Sequence, residues 1–429
     1  MVELRPIRGW HPDPLRVDSD QLVCPVYDTL SESELARFSK HPHNAARFVP
    51  RPHGMTTEQF VRRASDRLQE ALSAGAYVQD ARPAFYVYGI RYVPPPDIFE
   101  IIEPEHQRHE YLLLGLVGTL PFESNGHAQV AMHERTFEDR VEERIALTEA
   151  TGMNFAPIMA GYHLPDHRLN DHLERYLGLH RRSLAFESRV APVAEAVLEG
   201  TRHRLWRIDE PAEVEQIAKM VRELRLLILD GHHRYTAAAR RFHAGHPAVP
   251  LTMLVEGQDR ALRVLPWHRV LPWNCVPFDS VSVSLRREFP EGTSLVPRPT
   301  VEAALERLRS FHRLGHRGFL AVGPDGMVEV HGPPSHDVGA DFDLLHTFLE
   351  DRLGIDPHDL EFVRSPRHAL ARATERPGTA FLLSGMTEKG IEERAFGSGR
   401  VMAHKSTMFL PKVVEGMLFA PADRAGSGG

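Results

Sequence analysis

Cysteine, lysine and long apolar runs are scarce in this chain of 429 residues. The two cysteines, Cys24 and Cys275, lie far apart in the sequence, which excludes a disulfide framework and indicates a reducing compartment. No apolar run approaches the ~20 residues that cross a bilayer, and the N-terminal stretch lacks the apolar segment of a signal peptide. We therefore expect a cytoplasmic protein without a membrane span.

An excess of basic residues is also missing, because the formal net charge is -7 at pH 7. A nucleic-acid binder needs a basic face for the phosphates, so this balance argues against that class. Only five of the 51 basic residues are lysine, and two of them, Lys405 and Lys412, lie within one eight-residue stretch. Lysine kept in an arginine-rich chain indicates a need for a compact ammonium group. Chance clustering explains the pair equally well.

The remaining composition is that of a globular protein, with 42% apolar and 25% charged residues. The length predicts two or three domains. Apolar periodicity predicts helices at 57–73 and 211–224 and strands at 84–93, 111–120 and 249–257. Helices and strands alternate irregularly, which predicts an α+β fold with a mixed sheet.

The pattern of predicted helices and strands changes near residue 276, so we divide the chain there. Residues 1–275 are predicted to form the core with insertions, and residues 276–400 a C-terminal α+β region. Residues 401–420 contain a polar motif that we expect to return to the functional site. Residues 421–429 are rich in glycine and small polar residues, which predicts a disordered tail.

The stretch "LLILDGHHRYTAAARRF" at 226–242 is the first candidate site, because a predicted strand passes directly into a helix there. Gly231, His232 and His233 then lie at the helix N-terminus, where free N–H groups and the positive end of the helix dipole attract anions. Arg234 adds a charge-assisted donor. Asp230 could bind Mg²⁺ or a substrate hydroxyl or amine.

Two other interpretations of this stretch stay open from the residues alone. Asp230 could cap the helix, with the histidines as ordinary surface residues. Zinc binding by His232 and His233 is the weaker alternative, because neighbouring helical residues point in different directions and no third ligand has a familiar spacing.

Two further polar stretches carry groups that could act with this junction. "HERT" at 133–136 places Glu134 between a histidine and an arginine. "KSTMFLPK" at 405–412 offers Lys405, Ser406, Thr407 and Lys412, all suited to phosphate. A solvated charge cluster and an ordinary surface loop are the respective alternatives.

Taken in order, these motifs resemble those of the domain-of-unknown-function 1015 family. "LRPIRG", "CPVYD", "HERT", "NFAPI", "DGHHRY", "LPWHRVL" and "HKSTMFLPK" follow one another as in that family. The family is similar to the free serine kinases, whose core resembles the ParB and sulfiredoxin fold. The resemblance thus implies a ParB/sulfiredoxin-like nucleotide-binding core with large insertions and a C-terminal α/β extension.

The resemblance also implies an activity, namely phosphoryl transfer from ATP or ADP to the hydroxyl of a small molecule, with Mg²⁺. Free L-serine is the acceptor that it favours. Residues Asp230 to Arg234 match the family signature one by one, and so do Lys405, Ser406, Thr407, Pro411 and Lys412 in the C-terminal motif. Met408 and Leu410 stand where the family usually has aromatic residues, which puts the nucleotide or substrate preference in doubt.

Each matched residue has an expected role in that reaction. His232, His233 and Arg234, with the helix N-terminus, would hold the transferred or the β-phosphate, and Gly231 would let the backbone approach it. Lys405 or Lys412 would neutralise the other phosphates, with Mg²⁺ near Asp230.

The group that receives the acceptor proton is left with two candidates. Serine kinases of this fold use an acidic residue near the N-terminus, which favours Asp28. Glu134 is the rival, and the sequence weights the two equally. The sequence also leaves a homodimer open.

A different class of function competes with the kinase, namely a ParB-like nucleotide-binding regulator without kinase activity. The acidic balance and the lack of a recognisable helix-turn-helix argue against that regulator. Sulfiredoxin-like reduction needs a cysteine in the phosphate turn, and residues 230–234 contain none, so we discard it.

Overall fold

The structure is a computed structural model, and it describes residues 2–95, 109–122, 129–164, 166–180, 186–297, 299–314, 318–332, 340–375 and 378–423. Eleven α-helices lie in these residues: α1 Glu32–Phe38, α2 Thr57–Ser73, α3 Glu138–Thr151, α4 Arg168–Leu177, α5 Pro211–Val221, α6 His232–His243, α7 Phe278–Glu288, α8 Val301–Leu314, α9 Ala340–Thr347, α10 Pro366–Glu375 and α11 Glu388–Glu393. Within the described ranges, no helix has the length and apolar character needed to cross a membrane.

Twenty strands accompany these helices: β1 Trp10–Pro12, β2 Tyr77–Gln79, β3 Phe85–Tyr92, β4 Tyr111–Thr119, β5 Val130–Ala131, β6 Met153–Asn154, β7 Ile158–Tyr162, β8 Ala194–Leu198, β9 Thr201–Ile208, β10 Leu226–Asp230, β11 Leu251–Glu256, β12 Arg263–Pro266, β13 His268–Pro272, β14 Thr293–Pro297, β15 Gly318–Val322, β16 Gly326–His331, β17 Glu361–Val363, β18 Gly378–Leu383, β19 Thr407–Leu410 and β20 Ala420–Pro421. The predicted α+β class with a mixed sheet is confirmed.

Eight strands form the main sheet in the order β5-β10-β7-β11-β4-β3-β9-β8. The β10–β5 and β11–β7 pairs are parallel, and the other neighbours are antiparallel. Strand β3 is buried on both faces, because Phe85 and Val87 join one apolar cluster while Tyr86 and Tyr88 join the other. The sheet is therefore a central layer between two apolar layers.

Helices α4, α5 and α6 cover one face of this sheet through Leu173, Ile217 and Tyr235. The chain after β19 helps to cover the other face, where Val414 and Met417 are buried. A helix with an apolar stripe is stabilised by burying it on a sheet, which fixes α6 and its N-terminus relative to β10.

A second sheet has six antiparallel strands in the order β14-β16-β15-β18-β13-β17. One of its strands, β13, precedes residue 276 in the sequence, so the predicted boundary at 275/276 divides this sheet. Its Phe319 and Phe381 belong to the same apolar cluster as Tyr86 of the main sheet. Residues 276–400 thus share a core with the preceding part of the chain.

The C-terminus is ordered further than the composition predicts. Strand β20 pairs with β6, and Asp423 accepts two hydrogen bonds from the guanidinium of Arg241. The predicted start of the disordered tail, at residue 421, is therefore too early in the sequence. Its residues 424–429 lie outside the described residues.

Candidate functional site

The site is built on the junction between β10 and α6, as the sequence predicts. Strand β10 ends at Asp230 and α6 begins at His232, with Gly231 between them at a φ of 89°. A Cβ at Gly231 would lie 2.3 Å from Cγ2 of Ile158. Both the left-handed backbone and this close approach require glycine.

The N-terminus of α6 offers free donors. No side chain caps this end of the helix. The first backbone N–H with a described acceptor is that of Tyr235, which donates to Gly231 O at 2.9 Å. The preceding N–H groups of His232, His233 and Arg234 find no acceptor in the described part of the chain. Together with the helix dipole, these groups form an anion-binding surface.

A pocket opens at this helix end. Its lining comes from five distant stretches of sequence: Tyr27, Asp28, Thr29, Glu134, Leu229, Asp230, Gly231, His232, His233, Arg234, Trp267, Lys405, Thr407 and Lys412. Nearly all predicted site residues are therefore brought together.

Two lysine–aspartate pairs set the electrostatics of the pocket. Lys405 donates to Asp28 at 2.5 Å, and Lys412 donates to Oδ1 of Asp230. Lys405 has a φ of 52°, which costs a non-glycine residue about 1–3 kcal/mol. Such backbone strain is typical of functional sites, and here it accompanies the placement of the ammonium group on Asp28.

The two lysines control the protonation of both carboxyl groups. Burial would raise the pKa of Asp28, but the Lys405 and Lys412 ammonium groups outweigh it and hold that pKa well below its usual range. Burial would also raise the pKa of Asp230, but the positive charges of Lys412 and Arg234 outweigh it and lower that pKa. Both aspartates are therefore carboxylates at neutral pH.

The guanidinium of Arg234, which is predicted to bind phosphate, already donates to protein acceptors. Its Nη1 donates to the carbonyl oxygens of Ala156 and Pro157, each at 2.9 Å, and its Nη2 donates to Oδ2 of Asp230 at 3.0 Å. These bonds tie the start of α6 to the segment before β7. Arg234 thus positions the helix start; it also lines the pocket, and its Nε has no partner among the described residues, so its phosphate contact stays a prediction.

Glu134 anchors the C-terminal motif. Its Oε2 accepts from the backbone N–H groups of Ser406 at 3.0 Å and Thr407 at 3.1 Å. The hydroxyl of Ser406 donates to Ala403 O at 2.8 Å, and its side chain is fully buried outside the pocket lining. Ser406 therefore shapes the turn, and its contacts do not favour the predicted phosphate contact.

The histidines form an ordered chain of hydrogen bonds that ends on Glu134. A carboxylate only accepts, so the Thr407 hydroxyl donates to Glu134 at 3.3 Å. The same hydroxyl lies 2.8 Å from His133 Nε2, and His133 Nδ1 lies 3.3 Å from His232 Nε2. These contacts couple the helix N-terminus to the 405–407 turn.

Burial keeps these imidazoles neutral. It lowers the pKa of His133 and of His232 to about 3. At His133, repulsion from the neighbouring His232 lowers the pKa further, by a smaller amount. Burial and the Lys405 charge lower the pKa of His233 to about 4. The Phe137 N–H donates to His233 Nε2 at 3.1 Å, so Nδ1 carries the hydrogen and can donate to a ligand.

Acidification should therefore destabilise the protein. These histidines have folded pKa values below the unfolded value of about 6.5, so their contribution is present above that pH and is lost as pH falls toward 3–4. Between pH 6.5 and 5 we expect the free energy of unfolding to fall by about 2 kcal/mol for each of His133 and His232.

Urea unfolding at several pH values would measure how steeply the free energy of unfolding changes with pH. His133→Asn should make this slope shallower, whereas the exposed His53→Asn should leave it unchanged. An unaltered slope in His133→Asn would contradict the assignment of a buried neutral imidazole.

Tyr27 and Trp267 are site residues that the sequence analysis did not select. Both lie in motifs of the family resemblance, "CPVYD" and "LPWHRVL", so the signal was present but carried no chemical assignment. Burial and the neighbouring Asp28 raise the pKa of Tyr27 to about 12, so its hydroxyl stays protonated. Trp267 Nε1 donates to Thr407 O at 3.0 Å, which fixes the indole beside the pocket.

The side chains do not fit the predicted Mg²⁺ ligand at Asp230. Its Oδ1 accepts from Lys412 and its Oδ2 from Arg234, so both oxygens already serve cations. No group of three or more metal-ligating side chains occurs among the described residues. We therefore derive no step through a metal ion held by Asp230.

Fold and site together define a mixed α+β protein with a pocket at a helix N-terminus, lined by two lysines. The chain belongs to the family described as protein of unknown function (DUF1015), whose model matches residues 4–289. The family predicted from the motifs is thus confirmed.

Several solved structures are similar to this chain. A mutant free serine kinase in complex with ADP is 13% identical with a TM-score of 0.39, covering 69% of this chain and 87% of that chain. A conserved hypothetical protein from Pyrococcus furiosus is 13% identical with a TM-score of 0.37, covering 69% and 90%. SbnI with a C-terminal truncation, from Staphylococcus aureus, is 13% identical with a TM-score of 0.36, covering 68% and 82%. No curated protein matched the sequence.

Proposed function

We propose that this protein is a small-molecule kinase that transfers a phosphoryl group from ATP or ADP to a hydroxyl group. Free L-serine is the acceptor that the family resemblance favours. We also propose that β10, Gly231 and α6 form the phosphate-binding turn of a ParB/sulfiredoxin-like core.

One observation carries this proposal, namely the convergence of anion-binding groups and a carboxylate in one pocket. The free N–H groups of α6, Lys405 and Lys412 line it together with Asp28. Phosphoryl transfer needs little covalent help from a protein, but it needs charge neutralisation and a group that orients the acceptor hydroxyl. The pocket supplies both.

The phosphates would lie on the α6 N-terminus, within reach of the two lysines. Backbone N–H groups and the neutral His233 Nδ1–H would donate to phosphate oxygens. Asp230 holds the Lys412 ammonium group at the pocket, and Glu134 holds the turn that carries Lys405. Mg²⁺, in this proposal, accompanies the nucleotide and is bound by its phosphates.

Between the two candidate bases, we propose Asp28. Glu134 is buried and its Oε2 accepts three hydrogen bonds from the 406–407 turn, which assigns it to positioning. Asp28 keeps 29% of its side chain exposed, and Lys405 is its hydrogen-bonded partner. When phosphate attracts Lys405, Asp28 loses its strongest partner and gains basicity toward the acceptor hydroxyl.

Phosphorus NMR on the purified protein tests the proposal, with ATP or ADP and Mg²⁺, with and without L-serine. A new phosphomonoester signal that requires serine is the expected result, and it names the donor. Nucleotide breakdown without serine dependence would overturn serine as the acceptor. Absence of turnover with both donors and a panel of small hydroxyl compounds would overturn the kinase.

A further inference from the structure

A groove of about 990 Å³ adjoins the pocket and extends toward the C-terminal half of the chain. It shares Asp28, Thr29, Trp267 and Lys405 with the pocket. Its far wall comes from β17 and α10, within residues 361–375, which lie outside the family match of 4–289. The groove thus joins the site to a part of the chain with no assigned role.

Trp267 is the residue at which the two parts meet. It lies between β12, where Pro266 pairs with Thr407, and β13, where His268 pairs with Val363. These two registers bring the residues that flank the partner strands, Lys405 and Arg364, to the same indole ring. The Lys405 ammonium group lies 5.4 Å from the ring centroid, and the Arg364 guanidinium lies 5.6 Å from it.

The cations of the groove differ in whether they form a salt bridge. Lys405 has Asp28 as its carboxylate partner. The other groove arginine, Arg372, lies 3.3 Å from Glu361. Arg364 forms no salt bridge among the residues that the structure describes; its guanidinium lies by the indole, and its charge contributes to the lowered pKa of Glu34. A guanidinium whose donors form no such salt bridge, beside a second cation, is an attractive contact for an anionic ligand.

We propose that Arg364 completes the phosphate site from the C-terminal sheet, and that the groove holds the nucleoside part of a bound nucleotide. This inference rests on the proposed function, because it assigns the ligand of the same site. The phosphate chain would run from the α6 N-terminus past Lys405 to Arg364. The volume of the groove matches that of small-molecule sites, which span roughly 300–1,000 Å³.

Calorimetric titration of the full chain with ADP and with pyrophosphate tests this placement. Arg364→Ala should weaken both ligands by about 10- to 100-fold, because a charge-assisted contact to phosphate is lost. Ala371→Trp, which fills the groove wall, should weaken ADP and leave pyrophosphate unchanged. Arg367→Ala is the matched control, because Arg367 lies close to Arg364, in the first turn of α10, but pairs with Glu302 at 2.8 Å outside the groove lining.

The outcomes separate this inference from the proposed function. If the wild-type protein binds ADP and the affinities of Arg364→Ala equal those of Arg367→Ala, the role of Arg364 is overturned. The kinase proposal then still stands. Equal loss of both ligands in Ala371→Trp would overturn the nucleoside placement. A wild-type protein that binds neither ADP, ATP nor pyrophosphate would overturn the proposed function and this inference with it.

Discussion

Replacing Asp28 by asparagine should lower the turnover of the proposed kinase by about 10²- to 10⁴-fold, the range that a positioned general base contributes. Asparagine keeps the shape of the side chain but cannot accept the acceptor proton. Nucleotide affinity should not fall, because Lys405 is released from its partner and can bind phosphate. The measurement is kcat and KM in the phosphorus NMR assay, together with the nucleotide Kd.

Two comparisons make this result specific. Asp66→Asn, at an exposed position on α2, is the matched control and should leave turnover unchanged. Glu134→Gln should mainly loosen the 405–407 turn, which would appear as a lower melting temperature. Full turnover in Asp28→Asn, with turnover abolished in a stably folded Glu134→Gln, would reverse the assignment of the base.

Gly231→Ala should destabilise the fold by about 2–6 kcal/mol. An L-residue at a φ of 89° is strained, and the added Cβ would meet Ile158 Cγ2 at 2.3 Å. The backbone strain contributes about 1–3 kcal/mol, and overpacking a filled site contributes about 1–3 kcal/mol more. Chemical denaturation measures the loss, and the anion site should be lost with it because α6 must shift.

Gly245→Ala separates the two contributions. Gly245 has a φ of 93° at the other end of α6, but nothing lies within 4 Å of its added Cβ. This control should therefore show the backbone strain alone, about 1–3 kcal/mol. If Gly231→Ala cost no more than Gly245→Ala, the close approach of Ile158 to the turn would be refuted.

The elements with strong periodicity were predictable. Helix α2 spans Thr57–Ser73, as the apolar spacing predicts, and the capping box of Ser31 and Glu34 starts α1. Strands β8 and β9 were not predicted. In β9 the partly buried arginines at 202, 204 and 207 lie among buried residues. Their charge conceals the apolar pattern of a strand that is stabilised by pairing with β3.

The roles inside the site were less predictable than its members. Arg234 and Ser406 match phosphate-binding motifs, yet Arg234 donates to the 156–157 carbonyl oxygens and Ser406 donates to Ala403. A donor binds whichever acceptor the fold brings near it, and a motif does not contain that acceptor. Residue type therefore selected the candidates, and the geometry shows which of them already donate to protein acceptors.

By itself, the sequence determined the local features that depend on near neighbours: the strand-to-helix junction with its glycine, the capped helices and the family. Only the tertiary structure decided which charges face each other. Lys405 meets Asp28 across 377 positions of sequence, and Lys412 meets Asp230 across 182. Strand registers around Trp267 also bring Arg364 to the site. Such contacts follow from long-range pairing and burial, which local periodicity does not contain.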